Sequence, residues 1–367
     1  MARFDVASSQ SLSYTPAVAS AKGARYVVCA ACLLCLFLFG PVFANAQDLA
    51  GLEQGIKPYG SYHGGDIDSV SMVNGGLTLR IPLISFPQRG GRLHLGVSVI
   101  YNNPVYTLLD NRVNGRCPIE CYTWEMGSAS SSNPNTGAGL SVAFDLPGMT
   151  DVVTFPGGQG TCPLISNYKI VEQDGAVHLM SVTNNGNWLS LDTTGYAYYS
   201  SGVLQDSQGT QYTFNLSPYI EQGQNCGSYL PTTLAQVKDV NGNTITSSFD
   251  SHNYLVSYTD TMGRLILTSP QSTTDYSHCT GSQTTSSAVI WSFPGPNGGN
   301  AQFKVCYAQF PINYTPTCAG YVQCYGISGT NGQIQSIVLP NYTTWTFAFD
   351  TTGALSNITF PTGGGCK

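Results

Sequence analysis

"DVNGNTITSSFDSHNYLVSYTDTMGRLI", Asp239 to Ile266, holds two Asp-x-x-Gly turns 21 residues apart, Asp239 to Gly242 and Asp260 to Gly263. An aromatic-Asp pair, Phe249 and Asp250, lies between them. A metal loop, a catalytic pocket and a structural repeat are the competing readings. Ile245, Ser247 and Phe249 alternate with Thr244, Thr246 and Ser248, the period of two that marks a strand. The chain then reverses at Asp250 to Asn253, where short polar side chains favour a turn.

Sliding the sequence by 100 residues separates these readings. Asn241, Thr244, Thr246, Phe249, Asp250, Leu255, Thr259 and Gly263 fall on Asn341, Thr344, Thr346, Phe349, Asp350, Leu355, Thr359 and Gly363. Eight identities in 23 positions define an internal repeat of strand, Asp-led turn and strand. Gly353 replaces Asn253, and both residue types tolerate the left-handed backbone of a tight reversal.

A calcium loop fits less well. Asp239, Asn241, Asn243 and Asp250 echo one, but Thr244 stands at the sixth place, where the loop needs Gly, and Asp250 at the twelfth, where it needs Glu. No metal and no cofactor is expected.

The rest of the chain agrees with strands and turns. Among 367 residues are 41 Gly, 20 Pro and 22 Tyr, with only 9% charged, too few for the wet faces of long helices. "LTLRIPLISF" and "RLHLGVSVIYNN" alternate like half-buried strands around a "PQRGG" turn, with Leu93, Leu95, Val97 and Val99 on one face and Arg92, His94, Gly96 and Ser98 on the other. Beyond "GSASSSNPNTGAG", read as a surface loop, come the strand-like runs "LSVAFDL", "DVVTF", "YKIVEQDG", "AVHLMSVT", "NWLSLD", "YAYYSSGVLQD" and "TQYTFNL".

The N-terminus reads as an export signal. Arg3, Lys22 and Arg25 precede an apolar run from Val27 to Ala44, and small residues set up cleavage after Ala46. The 18-residue run is also long enough to anchor the chain in a membrane, but Pro41 and the Ala-x-Ala site favour cleavage. The chain is therefore expected to be secreted or displayed at the cell surface. Removing residues 1–46 leaves 11 basic and 19 acidic side chains, a formal charge of −8 without basic clusters, which argues against nucleic acid as a partner.

Nine cysteines remain after cleavage, and an oxidising compartment would pair most of them. Cys117 with Cys121, and the cluster Cys306, Cys318 and Cys324, are close enough to close small loops. The odd count leaves at least one thiol over, with Cys366 at the tail a candidate. The two paired ligand halves of a zinc site are absent from the chain that remains after cleavage.

The aromatic-Asp pair, the Gly or Asn three residues later, the Leu five residues after the Asp and the closing "DTMGR" resemble the YD repeat of bacterial RHS-type proteins, with Phe where the repeat normally has Tyr. "GDIDSVSMVNGGLTLRIPLISFPQRGGRLHLGVSVIYNN" is similar to the segment that precedes the repeats in exported members. The resemblance covers about residues 55–103 and 234–363. It implies an all-β chain of successive antiparallel hairpins and meanders: an N-terminal β-sandwich-like region, then YD-like β-hairpin repeats. Long members spiral into a shell that encloses a toxic domain. Two repeats do not close such a shell alone, so the resemblance suggests the N-terminal fragment of a toxin-delivery shell, partnered by a downstream core or toxin chain.

The expected organisation is a signal over residues 1–46, an N-terminal β region over 47–165, a connecting meander over 166–230 and the repeat region over 231–367. The structural repeat positions are Gly242, Phe249, Asp250, Asn253, Leu255, Asp260 and Gly263, with Phe349, Asp350, Gly353, Leu355 and Gly363 in the second copy.

No residue set announces catalysis. Ser166 and Lys169 match Ser-x-x-Lys, but in a run that reads as strand, where that spacing separates the faces, and without the partner motifs. Asp66 and Asp68 near His63 read as a polar turn, and Trp124, Trp188, Trp291 and Trp345 as core. Asn215, Asn313, Asn341 and Asn357 head glycosylation sequons that a bacterial chain would not use. The functional expectation is an exported, non-catalytic structural or cell-surface interaction protein, with carbohydrate or another cell surface as partner. The alternative is a secreted polysaccharide-acting hydrolase or carbohydrate-binding β-protein, since 19 acids allow many carboxylate pairs.

Overall fold

The computed structural model describes residues 61–62, 67–72, 76–90, 92–103, 106–110, 122–126, 139–154, 164–183, 186–199, 201–221, 224–252, 254–295, 298–314 and 327–366. The export signal and Ala46, the polar stretch 127–138, Asp66, His63, Asn253, Cys117, Cys121, Cys318 and Cys324 lie outside them. Among the described residues every regular element is a β-strand and every pairing is antiparallel.

The first sheet comprises β1 (Ser61–Tyr62), β2 (Asp68–Ser71), β3 (Leu77–Pro87), β4 (His94–Asn102) and β7 (Gly139–Phe144). A separate ribbon of β5 (Tyr106–Asp110) and β6 (Tyr122–Met126) is inserted between β4 and β7. The second sheet is an eleven-stranded meander in which each strand pairs with its sequence neighbour. It runs through β8 (Gly148–Thr154), β9 (Leu164–Val171), β10 (Val177–Val182), β11 (Trp188–Ser190), β12 (Ala197–Tyr199) and β13 (Val203–Gln205). It continues through β14 (Gln211–Glu221), β15 (Gln224–Lys238), β16 (Thr244–Phe249), β17 (Leu255–Thr259) and β18 (Leu265–Thr268). Positions 165 and 230 fall inside β9 and β15, both strands of this sheet. The third sheet repeats the meander with β19 (Gln271–Thr273), β20 (Thr285–Pro294), β21 (Asn300–Tyr314), β22 (Ile327–Val338), β23 (Thr344–Phe349), β24 (Leu355–Thr359) and β25 (Gly365–Cys366). Short hairpin turns suffice for such a path, because antiparallel neighbours need no crossover.

The principal core draws on all three sheets. Leu95, Val97, Val99 and Leu140 from the first, Val237, Ile245, Tyr258 and Leu267 from the second, and Trp291, Phe303, Val305, Ile337 and Phe347 from the third form one cluster. Aromatic edges lock it: Phe144 meets Tyr258 at 5.1 Å and Trp291 at 5.3 Å. A second cluster of Met149, Tyr168, Ile170, Met180, Tyr198, Leu204 and Phe214 belongs to the earlier part of the second sheet.

Two strand expectations need correction. β4 is buried on both faces after its first residue, not half-buried, because the segment after β7 and the β9–β10 turn cover the face of Gly96, Ser98 and Asn102. A Cβ at position 96 would lie 2.6 Å from Asp145 Oδ2, so a larger residue there would displace the Asp145 carboxylate. "YAYYSSGVLQD" is not one strand but a hairpin of β12 and β13, reversed at Gly202, whose φ of 83° suits glycine.

Candidate functional site

The two copies agree in register, not only in residues. Val237 pairs with Ile245 and Ile337 with Trp345; Ser248 pairs with Ser257 and Ala348 with Asn357; Phe249 pairs with Leu255 and Phe349 with Leu355. Each hairpin carries its bulge at the same step, just before the Phe. Ile245 is 1% exposed and Phe347 0%, whereas Phe249 and Phe349 are half-buried, and Phe349 packs against the principal core.

The Asp residues make turns by one recurring geometry. In each of Asp206, Asp239, Asp250, Asp260 and Asp350, Oδ1 accepts backbone N–H groups from the residues two and four positions on, at 2.8–3.0 Å. The Asp N–H donates to the carbonyl four residues on. Gly209, Gly242, Gly263 and Gly353 sit three after their Asp with φ of 73–85°, and each donates its N–H back to the Asp carbonyl. This is a turn closed by a left-handed residue, with the carboxylate standing in for a backbone acceptor. "DSQG", Asp206 to Gly209, belongs to the same set; the 100-residue comparison does not reach it, although its Asp-x-x-Gly spacing is visible in the sequence.

In the opening stretch these carboxylates are occupied by donors. Asp239 Oδ2 accepts Asn243 Nδ2 at 2.7 Å, and Asp260 Oδ2 accepts Arg264 Nε at 2.7 Å with Nη2 at 2.6 Å. Burial would raise both carboxyls; the donors, chiefly Asn243 and Arg264, outweigh it and hold both below the ordinary value. Asn243 Nδ2 also reaches Arg89 O at 2.8 Å, joining the first copy to the β3–β4 turn.

A cleft of about 560 Å³ gathers acid-base groups that no local motif announced: Arg80, His94, Asp145, Glu172, Tyr196 and Tyr212. The Asp145 side chain, 8% exposed, accepts Gly96 N–H at 2.5 Å and faces His94 Nε2 at 2.6 Å. Burial pushes its pKa up despite Gly96, His94 and Arg80. Glu172 experiences the opposite balance: burial would raise it, but His178 and the Tyr196 hydroxyl, which donates at 2.8 Å, bring it down. His178, 2% exposed on β10, stands between Asp192 Oδ2 at 2.6 Å and Glu172 Oε1 at 3.3 Å. Desolvation disfavours its charge, yet the two carboxylates raise its pKa.

The remaining candidates are dispersed. Ser166 and Lys169 both fall on β9, a strand and not the helix on which a Ser-x-x-Lys pair shares a face. Trp291 is core; Trp188 packs against the second cluster and Trp345 against the principal one, edge-on to Phe360 at 5.3 Å. Cys306 is disulfide-bonded, but to Cys279, 27 residues away, not within its own cluster; the Cα atoms are 5.9 Å apart because the β19–β20 loop folds back over β21. Cys366 is exposed and free. Among the described residues no group of three or more His, Cys, Asp or Glu side chains is placed to hold a metal ion.

Neither a family model nor a curated protein matches this sequence.

Proposed function

We propose that the chain is an exported, non-catalytic protein of RHS/YD-repeat type that presents its hairpin surface to carbohydrate or a neighbouring cell. The observation that carries this reading is the shared register of the 239–266 and 339–366 units, down to the bulge before each Phe. Their aspartates serve turns, as a repeated scaffold requires, and the Cys279–Cys306 bridge is compatible with an oxidising compartment outside the cytoplasm. On this reading the exported chain begins at Gln47, which N-terminal sequencing checks.

A second reading has one observation in its favour. Asp145 and Glu172 line the same cleft with pKa values displaced in opposite directions, the division of labour that a polysaccharide hydrolase needs between proton donor and ionised carboxylate. Incubating the secreted protein with polysaccharides and acyl esters separates the two. The first reading expects no turnover; turnover that survives purification and is lost in both Asp145→Asn and Glu172→Gln overturns it.

A further inference from the structure

Among the described residues, two non-glycine residues have a left-handed backbone, His278 with φ 63° and Tyr342 with φ 64°. Their rings face each other, with centroids 4.9 Å apart and planes tilted by 33°. In the 100-residue register Tyr342 takes the place of Gly242, whose φ is 84°, and donates its N–H to the Leu339 carbonyl as Gly242 does to that of Asp239. The second copy therefore carries an aromatic side chain where the turn favours glycine. Such strain persists where the surroundings over-determine it, and it concentrates at ligand clamps.

For His278 the surroundings do over-determine it, and Tyr342 meets the loop through the His278 ring. The loop from Thr274 to Thr284 straps one face of the third sheet at consecutive strands. Cys279 is bonded to Cys306 on β21, Thr280 N–H donates to Ser336 Oγ on β22 at 3.2 Å, and Thr280 Oγ1 lies 3.0 Å from Thr346 Oγ1 on β23. Cys306, Ser336 and Thr346 form one cross-strand row, so the strap follows a single line over the sheet. Lys304 pins its first half, donating to Asp275 Oδ2 at 2.8 Å and to Ser277 O at 3.1 Å.

His278 and Tyr342 stand at a cleft of about 610 Å³ that also displays Asn300, Gln302, Asp275 and Lys304. That volume is within the range of small-ligand sites. Tyr342 is 70% exposed, leaving ring surface for a ligand. The amides of Asn300 and Gln302 donate and accept, and the ammonium of Lys304 is already engaged by Asp275, so among the described residues no unpaired lysine or arginine lines the cleft for an anionic group. We infer that the His278–Tyr342 pair is the stacking platform of a binding site for a neutral pyranose glycan, with Asn300 and Gln302 meeting its hydroxyls. Aromatic faces suit the C–H face of a sugar ring, and a rigid platform keeps the ordering cost of binding low. This inference rests on the surface-interaction reading and gives that surface a location.

The test is affinity electrophoresis of the secreted protein through gels containing soluble neutral glycans based on glucose, N-acetylglucosamine, xylose, mannose or galactose, with an anionic glycan as control. The wild type is expected to be retarded by a neutral glycan. Tyr342→Gly, which restores the residue of the first copy, should weaken that affinity by about tenfold, while Tyr342→Phe keeps it. A wild type retarded by none of the neutral glycans, or one bound equally well by Tyr342→Gly, overturns the inference. In the second case the surface-interaction reading stands without this site. Binding lost in Tyr342→Gly but accompanied by glycan cleavage in the wild type keeps the site and removes the non-catalytic reading.

Discussion

Leu355 donates its backbone N–H to Tyr101 Oη at 3.1 Å, across 254 residues of chain. Leu355 is the repeat leucine of the second copy, and Tyr101 is the buried tyrosine near the end of β4. The β3–β4 hairpin meets the first copy at its turn, through Arg89 and Asn243, and the second through Tyr101, so one N-terminal hairpin spans both repeats. Tyr101→Phe keeps the ring and strands the Leu355 N–H. It should cost about 1–2 kcal/mol in denaturant unfolding without changing the strand content seen by circular dichroism.

The residues that carry the repeat differ in energetic weight. Phe347→Ala removes a fully buried ring and should cost about 3–5 kcal/mol; Ile245→Ala should cost about 2–5 kcal/mol. Phe249→Ala removes a half-buried ring and should lower the melting temperature by clearly less than Phe347→Ala. Thermal melts of the three variants give the order directly.

The fold was legible in the sequence wherever it depended on near neighbours. Alternation placed β3, β4 and β16, and the Asp-x-x-Gly spacing placed the turns, because strand period and turn geometry are local properties. The 100-residue identities marked the repeat, while its shared register is seen in the strand pairings. What was not legible joins distant segments. The covered second face of β4, the pairing of Cys279 with Cys306 and the cleft that Asp145 and Glu172 both line depend on how the sheets pack. Tyr342 is intermediate: its alignment with Gly242 was visible, but only the backbone shows that the position is left-handed.

His178 makes stability depend on pH. Its folded pKa is raised, so its contribution is complete below the unfolded value of 6.5 and is lost as pH rises through the folded value. Glu172 and Asp192 are lowered, so their contributions hold above the ordinary carboxylate values of 4.5 and 3.8 and are lost as pH falls through the folded ones. The network thus contributes most between about pH 4.5 and 6.5. Asp145, raised by burial, acts in the opposite direction and favours the folded state as pH drops. Melting temperatures across pH should show a steeper alkaline decline above about pH 6.5 in the wild type than in His178→Gln; parallel profiles would dismiss the network.

The disulfide anchors the strap over the third sheet. Replacing both Cys279 and Cys306 with serine should cost about 3–4 kcal/mol, from the chain entropy that a link between residues 27 apart removes from the unfolded state. Limited proteolysis should then cut first between Thr274 and Thr284, where the strap has lost its covalent tie.

Tyr342→Gly should raise stability by about 1–2 kcal/mol, the cost of holding a non-glycine residue in the left-handed region. Gly242→Tyr in the first copy should lower it by a similar amount. Paired denaturant curves measure both, and a loss of stability in Tyr342→Gly would show that ring contacts outweigh the backbone strain.

The central claim is that the Asp-rich stretch from Asp239 to Ile266 is turn chemistry in a repeated hairpin. Its most direct test is the melting temperature of the wild type and of Asp239→Ala with and without calcium. The account predicts a lower melting temperature for Asp239→Ala and no calcium effect in either protein. A calcium-dependent rise in the wild type that disappears in Asp239→Ala would contradict it.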